Sequence, residues 1–346
     1  MEEYSKYLIS DKASIKEALL SLNQLSSEAL TLFVIDENEV MMGTLTDGDI
    51  RRKLIEGCSL SDSILSVMNP NFHYIRKNNI DVSTIKRIKN KGIILIPVLD
   101  DKNKIYQIFN LKKKKSILPI DIVLMAGGKG ERLRPLTENI PKPLLLVGDK
   151  CIIDHNIDQL IDFGITNINV TVNYLGEQII DHFKYPRNGI PINCITEPCY
   201  LGTIGSIKFI QKFQNDYLLV MNSDLFTNIN YEDLFLHFIK NNADMSVVAV
   251  PYTVSIPYGV FDLDGRKIKG ILEKPVFNYY ANAGIYLFKK ELLNHIPDND
   301  FFNATDFIDI LVKKGYNVIR FPLTGYWIDI GKHEEYKKAQ ELVKHM

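Results

Sequence analysis

Cysteine is scarce: Cys58, Cys151, Cys194 and Cys199 are the only four in 346 residues, and none has C-x-x-C spacing. That argues against a disulfide framework or a thiolate zinc site, and for reduced thiols in a cytoplasmic protein. An excess of either charge is missing as well. Lys plus Arg total 41 against 42 Asp plus Glu, a net charge of −1. Such a balance provides no bulk field for nucleic acid or an anionic membrane, so neither is an expected partner. No apolar run approaches the ~18 residues of a membrane-spanning helix. Residues 1–10 also lack the basic-then-apolar layout of a secretory signal.

What the chain does have is core material. Apolar residues make up 46% and charged residues 24%, ordinary for a globular protein whose length predicts two domains. Four consecutive lysines, Lys112 to Lys115, precede Ser116 and Pro119. A run of like charge suits a solvated boundary, which divides the chain into 1–115 and 116–346.

Before that boundary one pattern occurs twice. Asp11–Leu22 is helical in spacing, residues 31–35 and Val40–Leu45 read as strands about a turn at 36–38, and Asp49–Glu56 reads as a helix closed by Gly57. The second copy places a helix at Val82–Lys89, a strand at Gly92–Ile96, a turn at Asp100–Asn103 and a strand at Ile105–Phe109. Units of about 50 residues bury too little surface to stand alone, so the copies should pack together.

After the boundary, strands alternate with helices. Strands are expected at Ile120–Ala126, Asn167–Val172, Ile192–Thr196 and Tyr217–Met221. Helices are expected at Ile152–Phe163, Glu177–Phe183, Gly205–Phe213 and Glu334–Lys344. This order predicts an α/β fold with a mostly parallel mixed sheet. Ligands on such sheets bind at the carboxyl ends of strands.

The first of these strands runs straight into Gly127, Gly128 and Gly130, with Lys129, Arg132 and Arg134 beside them. Glycines let successive backbone amides converge on an anion, and the cations add the charge a triphosphate needs. The loop is neither a Walker loop nor a G-x-G-x-x-G turn. Pro141-Lys142-Pro143 follows and holds one lysine between two restricted residues. Together these segments resemble the sugar-1-phosphate nucleotidyltransferases, whose signature is G-G-x-G-x-R-L followed by P-K-P.

The resemblance covers residues 120–346 and implies a Rossmann-like fold. Asn222-Ser223-Asp224 resembles the strand-end metal segment of that family, and Trp327-Ile328-Asp329-Ile330-Gly331 the second. It implies Mg²⁺ on Asp224 and Asp329, an all-oxygen site that suits this ion. Glu273-Lys274-Pro275 resembles the sugar-phosphate segment, with Lys274 on the phosphate and Glu273 on the sugar. Gly259 and Asn282 fall in stretches similar to the sugar-contacting loops. The implied reaction is in-line attack of a sugar 1-phosphate on the α-phosphorus of an NTP, releasing pyrophosphate. Arg132, Lys142, Asp224, Lys274 and Asp329 form the implied catalytic set. Its completeness weighs against a nucleotide-sensing regulator with an inactive transferase half.

Leu124, Ala126, Gly127, Gly128, Gly130, Glu197, Gly202 and Thr203 are the implied nucleotide contacts. Family members that use uracil or thymine commonly carry Gln five residues before the glycine equivalent to Gly202, where this chain has Glu197. A carboxylate accepts from the paired N–H groups of guanine and repels pyrimidine carbonyls, which favours GTP over uridylyl, thymidylyl or cytidylyl transfer.

Gly43-Thr44-Leu45-Thr46-Asp47-Gly48-Asp49 resembles the signature of CBS domains. The repeat would then be a CBS pair whose second copy is degenerate. Thr46 and Asp49 are candidates for one adenine-nucleotide site, and the pair implies a homodimer or higher homo-oligomer. A CBS pair joined to a nucleotidyltransferase resembles the glucosamine-1-phosphate guanylyltransferases of bacterial legionaminic acid synthesis. Mannose 1-phosphate and heptose 1-phosphate are alternative acceptors.

Overall fold

The same aspartate-centred turn is built twice in the first third of the chain. In the computed structural model, which describes residues 4–25 and 29–345, Asp36 Oδ1 accepts from the amides of Asn38 (2.9 Å) and Val40 (2.7 Å). Asp100 Oδ1 accepts from the amides of Lys102 and Lys104, each at 2.9 Å. A short acceptor side chain thus replaces a backbone acceptor in both turns. The strands around them repeat too. β1 (Leu8–Ser10), α1 (Ile15–Gln24), β2 (Thr31–Ile35), β3 (Met41–Thr46) and α2 (Asp47–Ile55) form the first copy. β4 (Ile75–Arg76), α3 (Val82–Asn90), β5 (Leu95–Leu99) and β6 (Ile105–Asn110) form the second. In each copy a parallel pair is followed by an antiparallel one, in the orders β1-β2-β3 and β4-β5-β6.

Local geometry moves some expected boundaries. The second repeat's strand begins at Leu95 rather than Gly92, because Gly92 adopts φ +77° to close α3. Lys112, Lys113 and Lys115 are exposed and Lys114 half-buried, but the residues on either side of the run are buried. Leu111 and Ile117 are buried in the cluster of Ile75, Ile85 and Ile96, so the first compact unit extends from Met1 to Ile117.

The second unit, Leu118–Met346, is described by itself. It contains β7 (Ile120–Ala126), the short pair β8 (Leu146–Val147) and β9 (Lys150–Cys151), α4 (Ile152–Asp162), β10 (Ile168–Val172) and α5 (Gly176–His182). After these come β11 (Ile192–Thr196), β12 (Tyr217–Asn222), β13 (Leu225–Thr227), α6 (Tyr231–Lys240) and β14 (Met245–Ser255). Then follow β15 (Val260–Asp264), β16 (Lys267–Leu272), β17 (Val276–Lys289), α7 (Ala304–Lys313), β18 (Val318–Pro322), β19 (Trp327–Asp329) and α8 (His333–Val343). The main sheet has seven strands in the order β11-β10-β7-β12-β17-β14-β18. β11, β10, β7 and β12 are parallel neighbours, β17 is antiparallel to both its neighbours, and β18 is parallel to β14. β10 is buried along its whole length and β7 nearly so, as expected where both faces of a sheet are covered. The stretch expected to be a helix at Gly205–Phe213 makes only a 3₁₀ turn at Gly205–Phe209. There the chain is held by Phe302, whose carbonyl accepts from Ile204 N at 3.1 Å.

Two features bring distant chain segments to the end of β12. β13 pairs antiparallel with β19, placing Leu225 opposite Asp329, and Ile330 N donates to Asp224 O at 3.1 Å. On the other side, the buried Asn156 of α4 donates from Nδ2 to the carbonyls of Leu225 (2.8 Å) and Ser223 (3.4 Å). Replacing Asn156 with Ala leaves the Leu225 carbonyl buried and unpaired, a loss of about 1–3 kcal/mol. Denaturant unfolding should show that loss as a lower midpoint, and an unchanged midpoint would remove Asn156 from this role.

Candidate active site

The carboxyl ends of β7, β10, β11 and β12 open onto a cavity of about 680 Å³. Its floor is the glycine loop. Gly127 is glycine for reasons of space, since a Cβ there would lie 3.0–3.2 Å from the carboxylate of Glu197. Gly130 takes the left-handed conformation, φ +62°, that starts the short turn bearing Arg132. Thr137 Oγ1 donates to Gly130 O at 2.8 Å and fixes the loop's exit.

Of the residues singled out in the sequence, Ala126, Gly127, Gly128, Gly130, Arg132, Lys142, Glu197, Gly202, Thr203 and Asp224 line this cavity. Asp329 lines an adjoining cleft that shares Arg132 and Gly331 with it. Leu124 is fully buried in β7 and does not line the cavity. Gly259, Glu273, Lys274 and Asn282 do not line it either. Gly259 and Glu273 lie together on the exposed β15–β16 hairpin. Asn282 Nδ2 donates to Tyr286 OH at 2.9 Å, and its Oδ1 caps Gly284 N. Thr203 Oγ1 accepts from Ala304 N at 2.8 Å, at the start of α7.

Charge is concentrated at one point. Lys142 is buried in a 3₁₀ turn between Pro141 and Pro143, and its ammonium is bonded to Asp224 Oδ2. It also lies 3.9 Å from Asp329 Oδ1. The other oxygen of Asp224, Oδ1, is buried and has no hydrogen-bond partner among the described residues. Burial, and then the neighbouring Asp224 charge, push the Asp329 carboxyl above its usual range, with Lys142 and Arg132 offsetting part of the effect.

Glu197 is also buried, and its Oε2 has no hydrogen-bond partner among the described residues. Burial pushes this carboxyl up, and the nearby Ser206 and Thr171 hydroxyls and Leu201 amide offset only part of the shift. Asn173 and Tyr200 line the cavity as well. Neither was singled out in the sequence. Asn173 directly follows β10, so the strand-end rule applied there would have found it.

In the first unit, Thr46 and Asp49 close a reciprocal cap on α2. Asp49 N donates to Thr46 Oγ1 at 3.2 Å, and Thr46 N donates to Asp49 Oδ2 at 2.9 Å. Asp49 also pairs with Arg52. Their hydrogen-bonding capacity is largely spent on the helix start.

The family profile described as nucleotidyl transferase matches residues 121–345. The chain is 32% identical over 226 residues to the mannose-1-phosphate guanyltransferase of Pichia angusta, covering 62% of this chain and 61% of that protein. It is 33% identical over 220 residues to the bifunctional protein GlmU of Methanocaldococcus jannaschii, covering 62% and 52%. It thus spans about three-fifths of the first relative and half of the second. The crystal structure of HddC from Yersinia pseudotuberculosis complexed with GMP-PN superposes with a TM-score of 0.51 at 29% identity. That match covers 64% of this chain and 99% of HddC. Among the described residues, no helix is long and apolar enough to cross a membrane.

The contact between Gly127 and Glu197 yields a direct test. Gly127→Ala should weaken nucleotide binding by about tenfold or more, because one displaced group in a close-fitting site is enough for such a loss. Titration calorimetry that finds unchanged affinity would show that the loop and Glu197 do not share a ligand.

Proposed function

The chain belongs to the nucleotidyl transferase family, and on that premise we propose that it transfers GMP from GTP to a sugar 1-phosphate. One observation supports this reading: a glycine loop, a buried lysine, an aspartate pair and a buried carboxylate with one unpartnered oxygen converge at the same strand ends. In the proposed reaction, a sugar-1-phosphate oxygen bonds to the α-phosphorus of GTP while the bond to pyrophosphate breaks. No protein nucleophile is needed, because the attacking group is already an anion. The barrier lies in bringing anions together, so the protein's work is positioning and charge neutralisation.

The amides of Gly127, Gly128 and Gly130 and the Arg132 guanidinium hold the β- and γ-phosphates. Lys142 serves the α-phosphate, and Lys274 the incoming phosphate. Glu273, Gly259 and Asn282 serve the sugar, as the resemblance of their segments to the family's sugar-contacting loops implies. Glu197 accepts from N1–H and N2–H₂ of guanine, which would give its bare Oε2 a partner. Asp224 and Asp329 fit Mg²⁺: both are hard oxygen donors, and Asp224 Oδ1 is a buried acceptor with nothing to accept from. When bound, the ion supplies positive charge against the phosphate oxygens.

The acceptor has two supported candidates. The names of the guanyltransferase relatives favour mannose 1-phosphate. The joining of a repeat unit to the transferase favours glucosamine 1-phosphate. The matched turns and strand orders of the two repeats support a CBS pair in the first unit. An adenine nucleotide would meet Thr46 and Asp49 there only where Arg52, which is exposed, gives up Asp49. A homo-oligomer is supported by the ribbon of β14 and β17, which ends in the β15–β16 hairpin. Phe261, Leu263, Ile268 and Ile271 are all more than half exposed on this hairpin. An isolated two-stranded hairpin is marginal, and an apolar face of this kind favours burial against a second copy.

Two substitutions test the reading. Asp224→Asn should lower kcat by at least about 100-fold with the fold intact, on the scale of removing one charge-stabilising group from a transition state. Full activity in the variant, or of wild type in excess EDTA, would refute the metal role. Guanine binding needs ionised Glu197. Burial holds its carboxyl above the usual range, so as the pH is lowered GTP affinity should begin to fall sooner than an ordinary glutamate would allow, whereas a Glu197→Gln variant should lack this dependence. The variant's kcat/KM ratio of GTP to UTP should drop as well, and an unchanged ratio would sink the base assignment.

A further inference from the structure

Lys142 has a second role implied by where it sits. Its backbone is fixed between two prolines, so only its side-chain torsions can move the ammonium. That ammonium is already committed to Asp224 and lies beside Asp329. It cannot make these contacts and also reach a triphosphate with full force, because a lysine is a compact point charge with three donors. The phosphate loop is close by: a Cβ on Gly130 would lie 3.2 Å from Lys142 Cβ. One side chain therefore stands at the border of the acidic pair and the phosphate cradle.

We propose that Lys142 is a stand-in cation, holding Asp224 and Asp329 together in the nucleotide-free protein and moving to phosphate only when a divalent ion takes its place. This rests on the assignment of Asp224 and Asp329 as metal ligands. The charges make the exchange favourable. With lysine alone the trio is net negative and repels a triphosphate. With a divalent ion on the aspartates the same trio is net positive, and the released ammonium adds to the attraction. Metal without nucleotide must compete with the lysine and binds weakly, whereas nucleotide phosphate draws the lysine away. Each ligand therefore raises the affinity for the other, as linkage requires.

Free Mn²⁺ binding to the full chain, read by electron paramagnetic resonance without nucleotide, tests this. Lys142→Met should bind Mn²⁺ on the order of tenfold more tightly than wild type, the factor lost if the lysine occupies the pair about nine-tenths of the time. Binding no tighter than wild type overturns the proposal while leaving the metal ligands in place. Absence of Mn²⁺ binding in both proteins, even with a non-hydrolysable GTP analogue, overturns the metal assignment and the proposal with it. A second measurement needs no loss of charge. In wild type labelled with ¹⁵N-lysine, the ammonium resonance that is missing from Lys142→Arg should shift when Mg²⁺ and the analogue are added together. A resonance that stays in place also overturns the proposal.

Discussion

The site is organised around one buried ammonium shared by two carboxylates. Lys142, Asp224 and Asp329 come from three widely separated parts of the chain, and like charges in a partly buried space repel unless something positive lies between them. Much of the second unit serves that meeting. Pro141 and Pro143 fix the lysine's backbone, the β13–β19 pairing brings Asp329 to the end of β12, and Asn156 ties that end to α4. Of these supports, removing Asn156 leaves the buried Leu225 carbonyl without its side-chain partner.

A second constraint runs through the base end of the cavity. Glu197 approaches the glycine loop so closely that a side chain at Gly127 would have to displace its carboxylate by a few tenths of an ångström, so the carboxylate and the loop share a wall. The polypeptide then separates two jobs. Gly127, Glu197 and Asp224 sit just past the ends of main-sheet strands, whereas Glu273 and Gly259 sit on a ribbon that leaves the main sheet.

Much of this was legible in the sequence, for physical reasons that can be named. The glycine loop and Pro141-Lys142-Pro143 are contiguous, and their backbone preferences are local, so their chemistry shows without a structure. The alternation of strands and helices likewise announces a mostly parallel sheet. Asn156 was not legible, because an asparagine on a helix acquires its role only from what packs against it, whereas Asn173 was within reach of the strand-end rule. Gly205–Phe213 has helical spacing, yet its contact with Phe302 overrides that tendency. Thr46 and Asp49 carry the opposite lesson. Their spacing resembles a nucleoside site, and the same spacing is what a capping box requires.

Pyrophosphate release from the wild-type chain in Mg²⁺, with each nucleoside triphosphate paired in turn with mannose, glucosamine and heptose 1-phosphates, is the most direct measurement. GTP should give the highest kcat/KM, with mannose or glucosamine 1-phosphate as acceptor. A preference for UTP or dTTP, or no pyrophosphate from any pair although GTP binds, would contradict guanylyl transfer at this site.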